Sequence, residues 1–319
     1  MTKILLVTNK RDLTTDYIVK EIRKRDLDFI RFNTEDVPSC KVILNESGSI
    51  FQFNSEDWSF DLGEISAAYF RRPELPTISE ELVDATTVPF ALAEWQALLK
   101  AMYLHLDRRW LSHPLDIIRS EDKPYQVRAA LQVGMLVPPT VVSNDFDIIK
   151  RVSESRTSVC KPLRSALVED GGGGKVVYTS RMGQLNESDR SSVTICPHIY
   201  QKEILKKFDI RVTVVGEDVF SVAIDSQRYA ESSVDWRRGT NPNLPHVVFA
   251  LPEKLSLACV KLVKRFGLGF GAIDLIEDRD GCFWFLECNP NGQWAWIENR
   301  TGLPISASIV NQLEKISAR

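Results

Sequence analysis

Gly269-Phe270-Gly271-Ala272-Ile273-Asp274, then Cys282-Phe283-Trp284-Phe285-Leu286-Glu287-Cys288-Asn289-Pro290, is the stretch on which the reading of this chain turns. Both segments are apolar runs that end in an acid, and Asp278-Arg279-Asp280-Gly281 between them is a turn sequence. Alternate residues of a strand share a face, so Glu287 and Asn289 are expected to point together, with Phe285 and Phe283 behind them. Across the turn Asp274 is expected to face Glu287 from the neighbouring antiparallel strand. Two carboxylates and an amide oxygen at the end of an apolar hairpin make a hard-oxygen site. Magnesium suits it, because Mg²⁺ takes few protein oxygens and fills its octahedron with water and nucleotide phosphates. Like charges so close on apolar strands are costly without a cation. Asp274, Glu287 and Asn289 are therefore the expected metal ligands.

Outward from this pair the pattern is that of a mixed α/β protein. A helix is expected over 253–266, with Leu255, Ala258, Leu262 and Phe266 inward and Gly267 as its stop. Residues 208–226 alternate as a hairpin about Gly216-Glu217-Asp218, residues 227–246 read as a polar loop, and a last helix begins near Pro304. Strand-like runs lie at 157–161, 175–179, 193–196 and 199–204, and 115–133 reads as one helix. The N-terminus opens β-α-β, with Ile4–Val7, a helix carrying Tyr17, Ile18, Ile22 and Leu27, and Phe29–Phe32. Short strands are expected over 41–70, closing on the unusual Arg71-Arg72-Pro73. From Phe90 to Leu106 an apolar stripe of Trp95, Leu98, Leu99, Met102 and Leu106 marks a helix packed on a core. A domain boundary is expected near residue 110.

With 319 residues the chain is long enough for two or three subdomains around one cleft. Its net charge of −3 gives no electrostatic reason to expect a nucleic acid. No apolar run approaches the length of a membrane helix. The six cysteines form no C-x-x-C pair, so reduced thiols in the cytoplasm are the economical expectation.

Groups able to hold a triphosphate follow from position. Lys123 in Asp122-Lys123-Pro124 and Lys161 in Cys160-Lys161-Pro162 each sit where one element gives way to another. Glu169-Asp170-Gly171-Gly172-Gly173-Gly174-Lys175 is the Gly-rich segment, either a plain hairpin tip or a lid whose N–H groups turn to phosphate. It is not a Walker loop. An extended stretch, Gln201-Lys202-Glu203-Ile204, is expected to offer backbone N–H and C=O groups to the adenine edge, with Asp209 on the ribose. Arg211, Arg228 and Arg237 are the candidates for steadying a transferring phosphoryl group.

In this order the pieces resemble the ATP-grasp superfamily over about residues 112–315: a linker lysine, a lysine before Pro, a Gly-rich loop, an adenine hinge, then Asp…Glu-x-Asn. Within it the chain looks most like the graspetide (microviridin-type) peptide ligases. That likeness rests on Asp209-Ile210-Arg211-Val212, Asp235-Trp236-Arg237 and Asn289-Pro290-Asn291-Gly292-Gln293-Trp294-Ala295-Trp296-Ile297-Glu298. Thr301-Gly302-Leu303-Pro304-Ile305 and Tyr69-Phe70-Arg71-Arg72-Pro73 add to it. The resemblance implies an α/β (α+β) ATP-grasp fold with a β-α-β pre-grasp domain over 1–111, a central lid subdomain over 112–200 and a C-terminal antiparallel-sheet subdomain over 201–319. It implies ATP and Mg²⁺, two ions, as cofactors. Its implied partner is a precursor peptide with a leader segment, a homodimer being left open. It also implies the reaction: an Asp or Glu side chain of the peptide becomes an acyl phosphate, which a Ser or Thr hydroxyl or a Lys amine attacks to close a ring. One departure stands out, since many ATP-grasp ligases carry Arg two residues before the metal-binding Asp and here that residue is Ala272.

Two other readings fit parts of the sequence. An amino-acid or glutamyl ligase acting on a small molecule or protein terminus would share the site and add mass rather than lose it. A nucleotide-responsive module without catalysis would need a damaged metal or lysine set, and none is seen. The N-terminal domain, the 175–200 hairpin and basic residues such as Lys206 and Lys207 are open candidates for leader contact.

Overall fold

The computed structural model describes residues 3–48, 50–56, 58–79, 84–164, 167–170, 173–176, 178–228 and 245–319. The N-terminal part runs β1 (Lys3–Thr8), α1 (Leu13–Lys24), β2 (Phe29–Asn33), β3 (Lys41–Leu44), β4 (Phe51–Asn54), β5 (Ser59–Asp61), β6 (Ile65–Phe70) and α2 (Val88–Leu106). β1 pairs in parallel with β2 and with β6, and β3, β4 and β5 form an antiparallel meander. The Asp12 side chain caps α1 by accepting from the Thr14 N–H, and Ile18 and Ile22 on its inner face are fully buried. Leu99, Met102 and Leu106 of α2 pack with Phe32, Phe53 and Trp110, while Trp95 and Leu98 lie at the rim of that core.

Next come α3 (Pro114–Ser120), α4 (Lys123–Gln132), β7 (Thr140–Ser143), α5 (Phe146–Ser155), β8 (Ser158–Lys161), β9 (Leu167–Asp170), β10 (Gly173–Val176), β11 (Ser180–Met182), α6 (Arg190–Thr194) and β12 (His198–Lys202). The sheet order is β11-β8-β12-β7, with β9 and β10 as a separate two-stranded ribbon. Two expectations are corrected here. Residues 115–133 are two helices, because Asp122 accepts the Tyr125 N–H at 2.6 Å and so starts a new helix with Pro124 in its first turn. The strand expected at 193–196 is instead the end of α6, begun by a capping box between Asn186 and Asp189 on the preceding turn.

The C-terminal part holds β13 (Lys206–Val215), β14 (Asp218–Ile224), β15 (His246–Val248), α7 (Glu253–Arg265), β16 (Phe270–Asp278), β17 (Phe283–Asn289), α8 (Ala295–Thr301) and α9 (Ile305–Ser317). Its antiparallel sheet runs β15-β14-β13-β16-β17. On one face Cys259, Leu262 and Phe266 of α7 pack over Val212, Ile273, Leu275 and Phe285. The opposite face packs Val215, Phe270 and Ala272 with Ile305 and Ile309 of α9, and that cluster continues into Ile4, Leu6 and Ile18. Burying each such side chain contributes about 1.5–3 kcal/mol, so one continuous core ties the first and last parts of the chain together. Trp294, fully buried, stands edge-on to Tyr17 at 6.1 Å, with Tyr69 beside it at 3.4 Å. Among the described residues no helix is long and apolar enough to cross a membrane.

Candidate active site

β13, β16 and β17 bring three charged side chains into line. Arg211 pairs with Asp274 across β13 and β16, and Asp274 pairs with Glu287 across β16 and β17. Directly opposed residues share a face, so Arg211, Asp274 and Glu287 look the same way, with Asn289 two residues on. Arg211 donates to Asp274 Oδ1 at 2.7 Å, and both side chains are largely buried. The Asn289 amide oxygen accepts the Asn291 N–H at 3.1 Å, which orients it and leaves a second lone pair.

The expectation that Phe283 and Phe285 back this face is overturned by the register. Asp274 faces Glu287, but the next pair is Leu275 with Phe285, so one extra residue, Leu286, is accommodated as a bulge. Phe285 and Phe283 thereby turn to the α7 side. The bulge separates an apolar strand from a charged strand end.

β17 is an edge strand, and its edge is covered. Phe285 N–H donates to the Leu136 carbonyl at 2.8 Å. One turn into α4, the buried Gln126 reaches the Cys288 peptide from both sides. Its Oε1 accepts the Cys288 N–H at 2.9 Å, and its Nε2 donates to the Cys288 carbonyl at 2.7 Å and to the Ser120 carbonyl at 2.7 Å. Gln126 thus behaves as a strand partner for the one residue between Glu287 and Asn289. Nothing in the sequence marked it, since a Gln in a helix is usually solvated. Gln126→Leu leaves a buried N–H and two carbonyls unpaired, at about 1–3 kcal/mol each. It is expected to lower the unfolding free energy by that order and to weaken Mg²⁺-dependent turnover, which denaturant melts and a magnesium titration check.

A second cluster gathers the lysines. Lys123, first residue of α4, donates to the Pro162 carbonyl at 2.9 Å, and Lys161 at the end of β8 donates to Gln201 Oε1 at 2.7 Å. Gln201 is buried, and its amide nitrogen donates to Thr140 Oγ1 at 3.0 Å. The expectation of free backbone groups along 201–204 needs correcting. Gln201 lies within the β7-β12-β8 ladder, Lys202 N–H donates to Pro139 O at 2.9 Å, and Glu203 N–H donates to Thr157 O at 3.0 Å. Glu203 also binds Arg181 at 2.8 Å. Ile204 stands at the crossing from β12 to β13. Asp209 is buried and holds Lys206 at 2.6 Å; Lys206 is therefore not a surface cation for a leader. Gly173 pairs with Asp170 in the ribbon. Gly172 and Arg237 lie outside the described residues, as does the side chain of Arg228, whose backbone closes a short turn at Ser226–Arg228.

Two arginines absent from the expected site set complete the picture. Arg71, fully buried at the end of β6, donates to the carbonyls of Asn291 at 2.5 Å and Gly292 at 2.9 Å, and its Nε lies 3.6 Å from Asp12. Arg72 donates to the same Asn291 carbonyl at 3.1 Å. Its side chain lies within electrostatic reach of Arg211 and Glu121, and burial, with Arg71 and Arg211 adding, pulls its guanidinium below the ordinary range. Burial raises the Glu121 carboxyl, opposed by Arg164 and Arg72. The Cys288 thiol is pushed up by burial and is inert behind the site. Among the described residues no three His, Cys, Asp or Glu side chains form a metal cluster. A pair of carboxylates with one amide oxygen fits magnesium better than zinc, because phosphate and water supply the other positions.

Residues 3–118 match the family model of the MvdD pre-ATP grasp domain. No curated protein sequence matches the chain. Among solved structures, a RiPP-associated ATP-grasp ligase from Chryseobacterium gregarium, in complex with ADP and a leader and core peptide, superposes with a TM-score of 0.90. Its identity is 27%, covering 99% of this chain and 97% of that one. The macrocyclase MdnC of Microcystis aeruginosa MRC, bound with precursor peptide MdnA, gives 0.85 at 28% identity over 98% and 100%. MdnB of the same organism gives 0.79 at 26% over 98% and 99%. The fold is that of an ATP-grasp ligase. Residues 3–118 are similar to a pre-ATP grasp domain, and over its whole length the chain is similar to RiPP-associated ATP-grasp ligases and macrocyclases.

Proposed function

We propose that the chain uses ATP and Mg²⁺ to close lactone or lactam rings in a ribosomally made precursor peptide. The observation that carries this reading is the line Arg211–Asp274–Glu287, with Asn289 beside it, on a chain similar end to end to ligases bound with ADP and with precursor peptides. In the first step an Asp or Glu carboxylate oxygen of the peptide bonds to the γ-phosphorus of ATP, the bond to the bridging oxygen breaks, and ADP leaves. In the second a Ser or Thr hydroxyl, or a Lys amine, bonds to the acyl carbon; inorganic phosphate leaves and the nucleophile's proton passes to solvent.

Magnesium at Asp274, Glu287 and Asn289 would neutralise phosphate charge. Lys123 and Lys161 hold phosphate oxygens, and Ile204, at the crossing between the two sheets, offers its backbone to adenine in place of Lys202 and Glu203. Asp209 takes the ribose hydroxyls, Gly172 and Gly173 cover the phosphates, and Arg211, Arg228 and Arg237 steady the transferring group. The domains then divide at 111 and 200. Six unpaired cysteines support a reducing, cytoplasmic setting.

Incubation with ATP, Mg²⁺ and a short peptide rich in Thr/Ser and Asp/Glu, sought beside the gene, tests the proposal. The product is expected to lose the mass of one water, and to release one ADP, per ring. A gain of residue mass would show intermolecular ligation instead. Lys161→Ala is expected to weaken Mg·ATP binding by about 10–100-fold, the worth of one charge-assisted hydrogen bond. Unchanged affinity in calorimetry would remove Lys161 from the phosphate site.

A further inference from the structure

Position 272 is closed to a large side chain. Ala272 is fully buried, and a Cβ built on Gly292 would lie 2.3 Å from the Ala272 Cβ, so the tail after Asn289 runs directly over it. The two arginines that follow β6 grip that same tail: Arg71 through the Asn291 and Gly292 carbonyls, and Arg72 through Asn291. Arg211, the other cation near the metal face, is committed to Asp274.

Arg72 has φ +44, a left-handed conformation that an arginine before a proline does not adopt by preference. It is held there from both sides. Arg71 N–H donates to the Val7 carbonyl at 2.8 Å, and Asn9 Nδ2 donates to the Arg72 carbonyl at 2.5 Å. A strained backbone that its neighbours over-determine is a mark of functional placement. Here it turns one guanidinium into the tail core and the next outward, one residue later, beside the end of β17.

We propose that Arg72, delivered by the N-terminal domain, binds the anion that reacts: the substrate carboxylate, then the phosphoryl group it receives. This rests on the ligase reading above and adds an arginine of the N-terminal part to those expected to steady the transferring group. Through its remaining N–H groups Arg72 steadies the carboxylate as its oxygen bonds to the γ-phosphorus and the bond to the ADP oxygen breaks.

The test uses the full chain, Mg·ADP and inorganic phosphate, with Arg72→Gly and Arg72→Lys. Glycine relieves the backbone and removes the cation; lysine keeps the cation and the strain. Calorimetry should give Mg·ADP affinities within about 2-fold of the wild type in both, with thermal unfolding unchanged or raised in Arg72→Gly. Phosphate titrated into the Mg·ADP complex should bind at least about 10-fold more weakly to Arg72→Gly and recover in part in Arg72→Lys. A purely structural role predicts the reverse order, rescue by glycine and not by lysine. Equal phosphate affinity in wild type and Arg72→Gly, or none in the wild-type Mg·ADP complex, overturns the assignment alone. A wild-type chain that does not bind Mg·ADP overturns the ligase reading and this assignment with it.

Discussion

Glu287→Gln and Asp274→Asn should each reduce ring formation by on the order of 10²–10³-fold, the several kcal/mol that a correctly held metal ion contributes to a phosphoryl transition state. The physical reason is charge. A carboxylate must approach a triphosphate, and both are anions, so the site has to carry positive charge to the oxygens that bridge them. Glutamine at 287 keeps the shape of the side chain on an already half-exposed strand end, so the melting temperature should barely move. Asparagine at 274 differs, because it leaves Arg211 with a neutral partner in a buried setting. A stability loss accompanies its activity loss, and comparing the two variants separates the effects. ADP release and product mass at saturating Mg²⁺ are the readouts. Near-normal turnover in Glu287→Gln would show that this carboxylate does not hold the ion.

Arg71→Met should be the most destabilising single change, at about 3–5 kcal/mol, the range for breaking a buried ionic contact and orphaning its partners. The Gly292 carbonyl loses its side-chain donor, the Asn291 carbonyl keeps only Arg72, and Asp12 loses a counter-charge. Arg71→Lys should recover little, since a single ammonium cannot reach two carbonyls and a carboxylate in the geometry of a planar fork. Equilibrium denaturation of the N-terminal transition measures the loss, and a change under about 1 kcal/mol would contradict it. Activity should fall as well, because the tail that leaves Asn289 would lose its anchor.

The acid-tipped hairpin was readable because period-2 alternation and a turn sequence are local signals, and so were the stop at Gly267 and the parallel opening of β1 and β2. The bulge at Leu286 was not, since one added residue leaves alternation looking intact while flipping Phe285 to the other face. Asp122-Lys123-Pro124 carried the helix break in plain view, but the apolar spacing on either side masked it. Lys206 looked like a surface lysine because burial beside Asp209 depends on a partner only the fold supplies. The roles of Gln126 and of Arg71 and Arg72 are long-range, 162 and 219 to 221 residues from their partners. No window on a single sequence contains such pairs.

Gln126 has a mechanical consequence. Lys123 and Gln126 lie within one turn of α4; the first touches Pro162 after β8, the second clasps the peptide between Glu287 and Asn289. A short helix therefore links the segment after β8 to the end of β17. On the proposed reading, a phosphate held by Lys123 would be joined through this helix to the strand end bearing the acids.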